Sequence, residues 1–519
     1  MKPLRRFTAV LLTLLLTVGL LAPASVTASA ADYAIDPNPT ILIHGILQSD
    51  VYLYNTDGTQ VLDSNGNPIQ NFPPADIDVG GLLAKAALPL LGSLLLQCDI
   101  GLSSAVRACI NDVLSVMQYD DEGRHINDFR VHSTPNSLAD SSAEDKAYIY
   151  GTLPMRGLAD LIGEEKLYFY AYNSFGNLHD IVEELYDMIL RVQAEHQSEK
   201  VNLVPISMGG VLFNALIEFH PDVADILGNV VITIGAINGS RIVGDLFTNK
   251  LSTDDVNLYY SMFTSLIKGY MGHLVNLLLR LLPKRVVLNV FDAVVEGLVG
   301  DVLSKCTMLW GLVPAEDYEE ASAMWLSDPS RAAIKAQTDA YQEARVNARA
   351  NIKALQDQGV HVYAISEWNW KLYAIVSSYD EVNSDGIIDM NSTSLGATSG
   401  YVDTPLPEDY VPSDPERVSP DGIVDAGTGT LPLHTWYFKN QNHEATGRCM
   451  PIINLVIRLV SSAAYEDVTT TEWGQFTEFD PVPAAADPDI LETILDYADR
   501  FMYHFLGAKG YSEFWKLWM

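Results

Sequence analysis

The residues Pro205-Ile206-Ser207-Met208-Gly209-Gly210 have the composition of a tight turn that presents a serine hydroxyl. An apolar run, Val201–Ile206, leads into the serine, and an amphipathic segment closed by Pro221 follows it. A strand, a small-residue turn and a helix lift a serine above a sheet edge, where glycines let the backbone pass closely behind it. The helix N-terminus then directs N–H groups toward an oxyanion. This pattern predicts that Ser207 is a catalytic nucleophile.

A serine hydroxyl is a weak nucleophile, so such a site also requires a histidine base and a carboxylate that orients it. In enzymes that use this turn, the acid and the histidine follow the serine in the chain. His443 lies in the polar loop Asn440–Glu444, a few residues after the last predicted strand, and is the favoured base. His434 is the alternative, although it lies at or inside that strand. The remaining downstream histidines fall in helical segments, in an insertion or at the wrong end of a strand: His220, His273, His361 and His504.

Two aspartates compete for the role of the orienting acid. Asp385 lies in Ser384-Asp385-Gly386-Ile387, downstream of the run Val360–Ile365, and Asp421 lies in a near copy, Pro420-Asp421-Gly422-Ile423. An Asp-Gly pair followed by apolar residues fits an acid on a turn that enters an extended segment. We favour Asp385 and keep Asp421 as the alternative, and either pair also fits an ordinary surface turn.

The oxyanion formed by attack on a carbonyl requires two preorganised backbone N–H donors. One is expected from Met208, the residue after the nucleophile. The other is expected from Ile46, because Ile43-His44-Gly45-Ile46 runs from the first predicted strand straight into a turn. His44 is expected to pack and to hydrogen-bond locally rather than to serve as a base.

Short runs rich in Ile, Val, Leu or Tyr alternate with helical stretches along the chain, which is the pattern of a mostly parallel sheet with crossover helices. The apolar residues of His179–His196, for example, fall on one helical face. The fold class is therefore α/β. The predicted strands are Thr40–His44, Lys166–Tyr172, Val201–Ile206, Asn229–Ile234, Val360–Ile365 and Leu433–Phe438.

Two long, mainly helical insertions interrupt this alternation, and both are candidates for caps over the site. The first, at about 49–165, opens with a hairpin predicted over Val51–Phe72 from two turn signals, Asp57-Gly58 and Asn65-Gly66. It continues with the apolar stretch Gly80–Gln97. Such a stretch is expected to be core between helices or, alternatively, a lid that meets a lipid substrate.

The second insertion, at about 239–358, is dominated by leucine over Leu274–Leu282. It ends in a helix predicted over Asp328–Leu355, in which Asp328 is the N-cap and Pro329 occupies the first helical position. One more helical segment is predicted near the end of the chain, over Pro488–Leu506.

Residues 1–30 have the three parts of a secretory signal peptide. Basic residues precede the apolar run Val10–Leu21, and Ala28-Ser29-Ala30 is a small-residue cleavage site. This predicts a secreted, extracellular protein whose domain occupies residues 31–519. No second apolar run is long enough and free enough of polar residues to span a bilayer.

The formal net charge of −34 disfavours nucleic acid and anionic membrane surfaces as partners, but it says nothing about the chemistry. The apolar fraction of 48% is ample for a large core, and we expect a monomer. Four cysteines, Cys98, Cys109, Cys306 and Cys449, match no zinc motif, although one or two disulfides fit a secreted protein. Loop length favours a bond between the first two.

We expect no cofactor. The chain lacks a His-Glu-x-x-His motif, and Asp63-Ser64-Asn65-Gly66-Asn67 is only a fragment of a calcium loop, for which a turn is the simpler prediction. A chain with this many carboxylates remains compatible with a structural calcium ion, without a site that the sequence identifies.

Four segments together resemble the α/β-hydrolase fold of secreted bacterial lipases and esterases, and more loosely the lecithin:cholesterol acyltransferase-like lipases. They are Ile43–Ile46, Pro205–Gly210, Ser384–Ile387 and Asn442-His443. The resemblance implies a serine hydrolase that cleaves carboxylic esters of acyl lipids, with Ser207, Asp385 and His443 as triad and transient contact with lipid surfaces. One departure is Pro205, since the family has Gly or Ala there, and the resemblance does not extend to the two insertions.

The same residues would equally serve an acyltransferase or an amidase. The turn at Ser207 and the three triad residues do not distinguish these activities from ester hydrolysis. A different class of protein, a secreted binding protein on a degenerate hydrolase scaffold, is the remaining alternative. The retained serine, histidine and aspartates argue against it.

Overall fold

A seven-stranded β-sheet, parallel at each of its six strand pairings, forms the centre of the protein. The computed structural model describes residues 33–63, 66–72, 79–134, 136–261, 270–377, 381–479 and 498. The strands, in chain order, are β1 Thr40–Ile43, β2 Val51–Tyr54, β3 Asp128–Val131, β4 Leu167–Tyr170, β5 Val201–Pro205, β6 Leu227–Thr233, β7 His361–Trp368, β8 Thr398–Ser399, β9 Val424–Asp425, β10 Thr435–Lys439 and β11 Phe476–Glu478. The order across the central sheet is β11-β10-β7-β6-β5-β1-β4, so the fold is α/β.

All six predicted strands are confirmed, with ends that differ by a few residues. The largest difference is β7, which continues past the predicted Ile365 to Trp368. The edge strand β11 was not predicted, because three residues carry no periodic signal and the strand forms only by pairing with β10.

The helices cover both faces of the sheet and fill the excursions between strands. In chain order they are α1 Val79–Leu96, α2 Leu102–Val113, α3 Ala143–Thr152, α4 Arg156–Ile162, α5 Leu178–His196, α6 Gly209–Phe219, α7 Arg241–Phe247, α8 Tyr270–Leu279, α9 Lys284–Val295, α10 Thr307–Trp310, α11 Tyr318–Trp325, α12 Ala332–Asp357, α13 Met390–Thr393 and α14 Met450–Ser461. None of these helices combines the length and the apolar character needed to cross a bilayer.

The strands alternate their side chains between two apolar layers, as the period of a pleated strand requires. Ile41 and Ile43 of β1 face the layer that contains α5, α6 and α12, whereas Leu42 faces the layer that contains α4 and α14. Because both faces are covered, the strands are buried on both sides, which explains why their sequences are near-continuous apolar runs.

The predicted helix of the second insertion is confirmed over most of its length. The Asp328 carboxylate accepts a hydrogen bond from the Ser330 N–H, and a short 3₁₀ turn, Pro329–Arg331, leads into α12. This helix packs on the sheet layer, since its Ile352 and Leu355 belong to the core beneath the strands.

The first insertion contains strands as well as helices. Strand β2 pairs antiparallel with β3, and the chain between them folds back on β2, where the Leu53 N–H donates to the Ile69 carbonyl. The predicted turn at Asp57-Gly58 is present, with Gly58 at a φ of 83°. The hairpin prediction is thus confirmed at Asp57-Gly58, whereas Asn65 of the second turn signal lies outside the described residues. The more distant strand β3 pairs with β2 as well.

The two insertions contact each other. Arg107 of α2 donates two hydrogen bonds to the Asp301 carboxylate, at 2.9 and 2.8 Å, and one to Glu296 at 2.6 Å. The structure forms no disulfide between Cys98 and Cys109. The predicted signal peptide at residues 1–30 lies outside the described residues, and so does the predicted helical segment Pro488–Leu506, with His504, apart from Ala498.

The buried face of α5 should contribute measurably to the stability of its layer. Val182→Ala removes two methyl groups from a fully buried position, so we expect a loss of roughly 2 kcal/mol and a lower urea midpoint. Val346→Ala is the matched control, because that valine of α12 is 66% exposed and its removal leaves no cavity. Equal midpoints for the two variants would contradict this packing.

Candidate active site

The carboxyl ends of the parallel strands meet at one edge of the sheet, and the loops that follow β1, β5, β7 and β10 converge there. Ligands of open α/β sheets bind at this edge, because the loops and helix N-termini point outward from it. Ser207 follows β5, and His443 follows β10 in a 3₁₀ helix, His443–Arg448. The sheet therefore brings together side chains that lie more than two hundred residues apart.

Ser207 occupies a strained turn between β5 and α6. Its φ of 52° is in the left-handed region, which a non-glycine residue adopts only when its surroundings hold it there. The Ser207 N–H donates to the Thr233 carbonyl at 3.0 Å, and its own carbonyl accepts from the Ala236 N–H at 3.0 Å. These bonds fix the serine on the crossing from strand to helix.

Close backbone contacts explain the two glycines after the turn. A Cβ at Gly209 would lie 2.7 Å from the Ile43 oxygen, and one at Gly210 would lie 2.9 Å from the Gly235 Cα. Pro205 is tolerated at the end of β5, since the ladder resumes with the Ile206 N–H donating to the Ile43 carbonyl at 2.9 Å.

Ser207, His443 and Asp385 form one chain of hydrogen bonds. Ser207 Oγ lies 3.0 Å from His443 Nε2, and His443 Nδ1 lies 2.7 Å from Asp385 Oδ2. The other carboxylate oxygen, Oδ1, accepts from the N–H groups of Ile387 at 2.9 Å and Ile388 at 2.7 Å. All three side chains are buried, so water competes little for these bonds. The arrangement is that of a serine activated by a histidine and an oriented carboxylate.

Asp421 and His434, the alternatives to Asp385 and His443, form their hydrogen bonds with residues outside the triad. Asp421 accepts hydrogen bonds from Ser419 at 2.6 Å and from Lys439 at 3.0 Å. These bonds outweigh the effect of partial burial and lower the pKa of Asp421. His434 precedes β10, at the opposite edge of the sheet from Ser207, where its Nδ1 contacts the Glu466 carbonyl at 2.9 Å.

The loop after β1 lies directly beside the serine. A Cβ at Gly45 would lie 3.1 Å from Ser207 Cβ, so a larger residue there would have to displace the serine by a few tenths of an ångström. His44 is fully buried and stacks on Tyr172 with ring centroids 4.1 Å apart. Burial lowers the pKa of His44 to about 3, which keeps the ring neutral and structural. Gln48 Oε1 accepts from the Gly45 N–H at 2.7 Å and closes the turn.

Two backbone donors near the serine are left for a ligand. Neither the Ile46 N–H nor the Met208 N–H donates a hydrogen bond to any described residue. Met208 immediately precedes the first turn of α6, where the N–H groups of a helix point outward. An anionic oxygen beside Ser207 is the ligand that such donors favour.

Ser207 and His443 border a cavity of about 350 Å³. The first insertion contributes to its wall, whereas none of the described residues in 239–358 does. The polar part of the wall includes Gln48, Ser49, Asp50, Gln70 and Asn71. The apolar part includes Leu153, Met155, Ile206, Ile234, Ile452, Ile453 and Val456. A cavity of this composition accepts an apolar chain next to a polar reacting group.

Three residues that hold this site carry no signal in the sequence. Gln48 closes the turn after β1, Ser174 accepts from the Leu47 N–H at 2.9 Å, and Tyr172 donates to the His44 carbonyl at 2.8 Å. Ser174 and Tyr172 gain these roles only because β1 and β4 are neighbours in the sheet, whereas the Gln48 contact lies within the turn itself.

Within the described residues, no group of three or more His, Cys, Asp or Glu side chains is placed to hold a metal ion. A scan against protein-family models and a search of the curated proteins both found no match for this chain. The function must therefore be inferred from the residues and their geometry.

The choice of acid can be tested by the reactivity of the serine. Asp385→Asn keeps the shape of the side chain but removes the charge that orients His443, so labelling of Ser207 by a fluorophosphonate should slow by about 10³–10⁴. Asp421→Asn, the matched control, should label at nearly the wild-type rate. The reverse ranking of the two variants would assign the acid to Asp421.

Proposed function

We propose that this protein is a secreted serine hydrolase of the α/β-hydrolase fold that cleaves carboxylic esters of acyl lipids, as a lipase or esterase does. The observation that carries the proposal is the hydrogen-bonded chain Ser207–His443–Asp385 at a strained strand-to-helix turn. The order of nucleophile, acid and histidine along the chain supports it, since that is the order of this fold.

In the proposed mechanism, Ser207 Oγ attacks the ester carbonyl and His443 Nε2 accepts the hydroxyl proton. Asp385 holds Nδ1–H and stabilises the imidazolium that forms. The N–H groups of Ile46 and Met208 bind the oxyanion. His443 then donates its proton to the departing alkoxide, which leaves as the alcohol, and water activated by the same histidine hydrolyses the acyl-enzyme.

The wall of the cavity supports an acyl substrate. Ile206 and Ile234 at the sheet edge and Ile453 of α14 provide apolar surface beside the nucleophile. Burial of an acyl chain there contributes about 0.8 kcal/mol for each CH₂ group. An ester whose acyl group is a hydrocarbon chain gains this binding energy, whereas an ester with a polar acyl group does not.

Loss of the nucleophile should abolish the activity. Ser207→Ala removes the attacking oxygen, so hydrolysis of p-nitrophenyl butyrate, followed at 405 nm in about neutral buffer, should fall by several orders of magnitude. Ser330→Ala is a control that removes an exposed serine hydroxyl in the second insertion, whose described residues do not border the cavity. Full activity of Ser207→Ala would exclude the proposal, and wild-type activity on anilides or acceptor alcohols but not on esters would favour an amidase or an acyltransferase.

An exposed stripe of leucines favours contact with lipid surfaces. On α1, Leu88 is 78% exposed, Leu91 is 55% exposed and Leu95 is 82% exposed, at spacings that place them on one helical face. Lys85 is the only charged residue of that helix, although the chain carries 66 acidic residues. An apolar, nearly uncharged face on so acidic a protein suits an uncharged or zwitterionic lipid surface.

This contact can be separated from the chemistry. The double variant Leu88→Glu/Leu95→Glu should bind phosphatidylcholine vesicles at least about tenfold more weakly in a flotation assay, because two leucines no longer enter the lipid. Its hydrolysis of p-nitrophenyl butyrate should not change. The control Val346→Glu/Val411→Glu adds the same charge at exposed valines elsewhere, and equal vesicle binding by both double variants would refute the lipid contact.

A further inference from the structure

A second buried carboxyl group lies behind the triad. Glu367, the penultimate residue of β7, is 0% exposed. Its Oε1 lies 2.7 Å from Thr446 Oγ1, whereas its Oε2 is buried and has no hydrogen-bond partner among the described residues. No described lysine or arginine forms an ion pair with it. A carboxylate in such a place would be costly, because a buried charge requires a partner.

The hydrogen atom of the Thr446 hydroxyl bears on whether the Glu367 carboxyl group is protonated or ionised. Thr446 Oγ1 lies 2.7 Å from Glu367 Oε1 and 2.9 Å from the His443 carbonyl oxygen. A hydroxyl carries one hydrogen, and a carbonyl only accepts. If Glu367 is ionised, the single hydrogen of the Thr446 hydroxyl points to only one of these two oxygens, and Glu367 Oε2 stays a charged oxygen without a donor. If Glu367 is protonated, its O–H donates to Thr446 and the Thr446 O–H donates to His443, so both contacts at Thr446 carry a hydrogen and no buried charge is left without a partner.

The titratable neighbours favour the protonated state as well. Burial raises the pKa of Glu367 well above its ordinary value, and the nearby charge of Asp385 raises it further. Cys449, which follows the 3₁₀ helix of His443, also interacts with Glu367, and burial raises the pKa of that thiol to about 11. The neighbours therefore supply one negative charge, on Asp385, and one group that becomes positive in the reaction, His443.

We propose that Glu367 is a positioning residue that acts as a neutral acid, holding His443 in line with Ser207 and Asp385 through the hydroxyl of Thr446. This role rests on the proposed function of the triad. The Glu367 O–H orients Thr446, and Thr446 fixes the first turn of the 3₁₀ helix that carries the histidine. Because Glu367 is uncharged, the imidazolium has a single carboxylate partner, and the histidine remains free to release its proton to the leaving group.

The kinetic test compares three variants at this contact. Glu367→Gln keeps a donor toward Thr446, so kcat for p-nitrophenyl butyrate should stay within about threefold of wild type, with the same pH profile. Glu367→Leu and Thr446→Val each break the contact, so each should lower kcat by about tenfold or more at nearly constant KM. Their double variant should be no worse than either single one, because both remove the same interaction.

The protonation state has a test that does not use activity. A carboxyl whose pKa is raised on folding binds its proton more tightly in the native state, so its contribution to stability is lost as the pH rises above about 4.3. Between pH 5 and 8, wild type should therefore lose stability relative to Glu367→Gln, by up to about tenfold in the unfolding constant for each pH unit. Urea unfolding of both proteins across this range measures the difference.

Several results would overturn the inference. Loss of activity in Glu367→Gln equal to that in Glu367→Leu would mean that the charge is needed. Full activity of Glu367→Leu would make the residue a space-filling one, and a pH-independent stability difference would show an ionised Glu367. If Glu367→Leu fails to fold by circular dichroism, Thr446→Val and the urea measurement decide. A wild type without esterase activity or fluorophosphonate labelling would refute the proposed function, while the urea measurement still reports the proton on Glu367.

Discussion

The backbone of Ser207 is the constraint on which the rest of the site depends. A serine at a φ of 52° pays a conformational cost, which the turn meets through backbone bonds to β6 and through glycines that allow contact with β1. In return, the hydroxyl stands clear of the sheet and the following N–H groups point outward. A relaxed backbone at this residue would place the hydroxyl away from His443.

The site also depends on which of its buried carboxyl groups has enough hydrogen-bond donors to carry a negative charge. Asp385 is buried but accepts two backbone N–H bonds in addition to the histidine, so its charge is supported. Glu367, equally buried and on the strand that leads toward it, has one contact to a hydroxyl and none to a cation. Two carboxyl groups of the same burial thus differ in the number of donors around them. This difference, rather than residue type, separates an orienting carboxylate from a neutral neighbour.

The insertions divide the molecule into parts with different physical roles. Segments of the first insertion reach the cavity beside Ser207, whereas its apolar helix α1 exposes leucines to solvent. The second insertion contacts the first through Arg107 and Asp301, and the described part of it does not border the cavity. The first insertion therefore carries the surface that would meet a lipid and supplies part of the wall of the cavity that would hold an acyl chain.

The sequence by itself determined the α/β class, six strands and the turn at Ser207, because buried strands and strand-to-helix turns leave local patterns of apolar residues and glycines. It also identified His443 by its loop and ranked Asp385 above its near copy at Asp421. Only the tertiary structure decided which aspartate reaches the histidine, since both Asp-Gly turns look alike locally and differ in their neighbours across the sheet. The contacts of Tyr172 and Glu367 likewise join residues far apart in the chain. Their roles come from spatial proximity, which no local pattern of residues encodes.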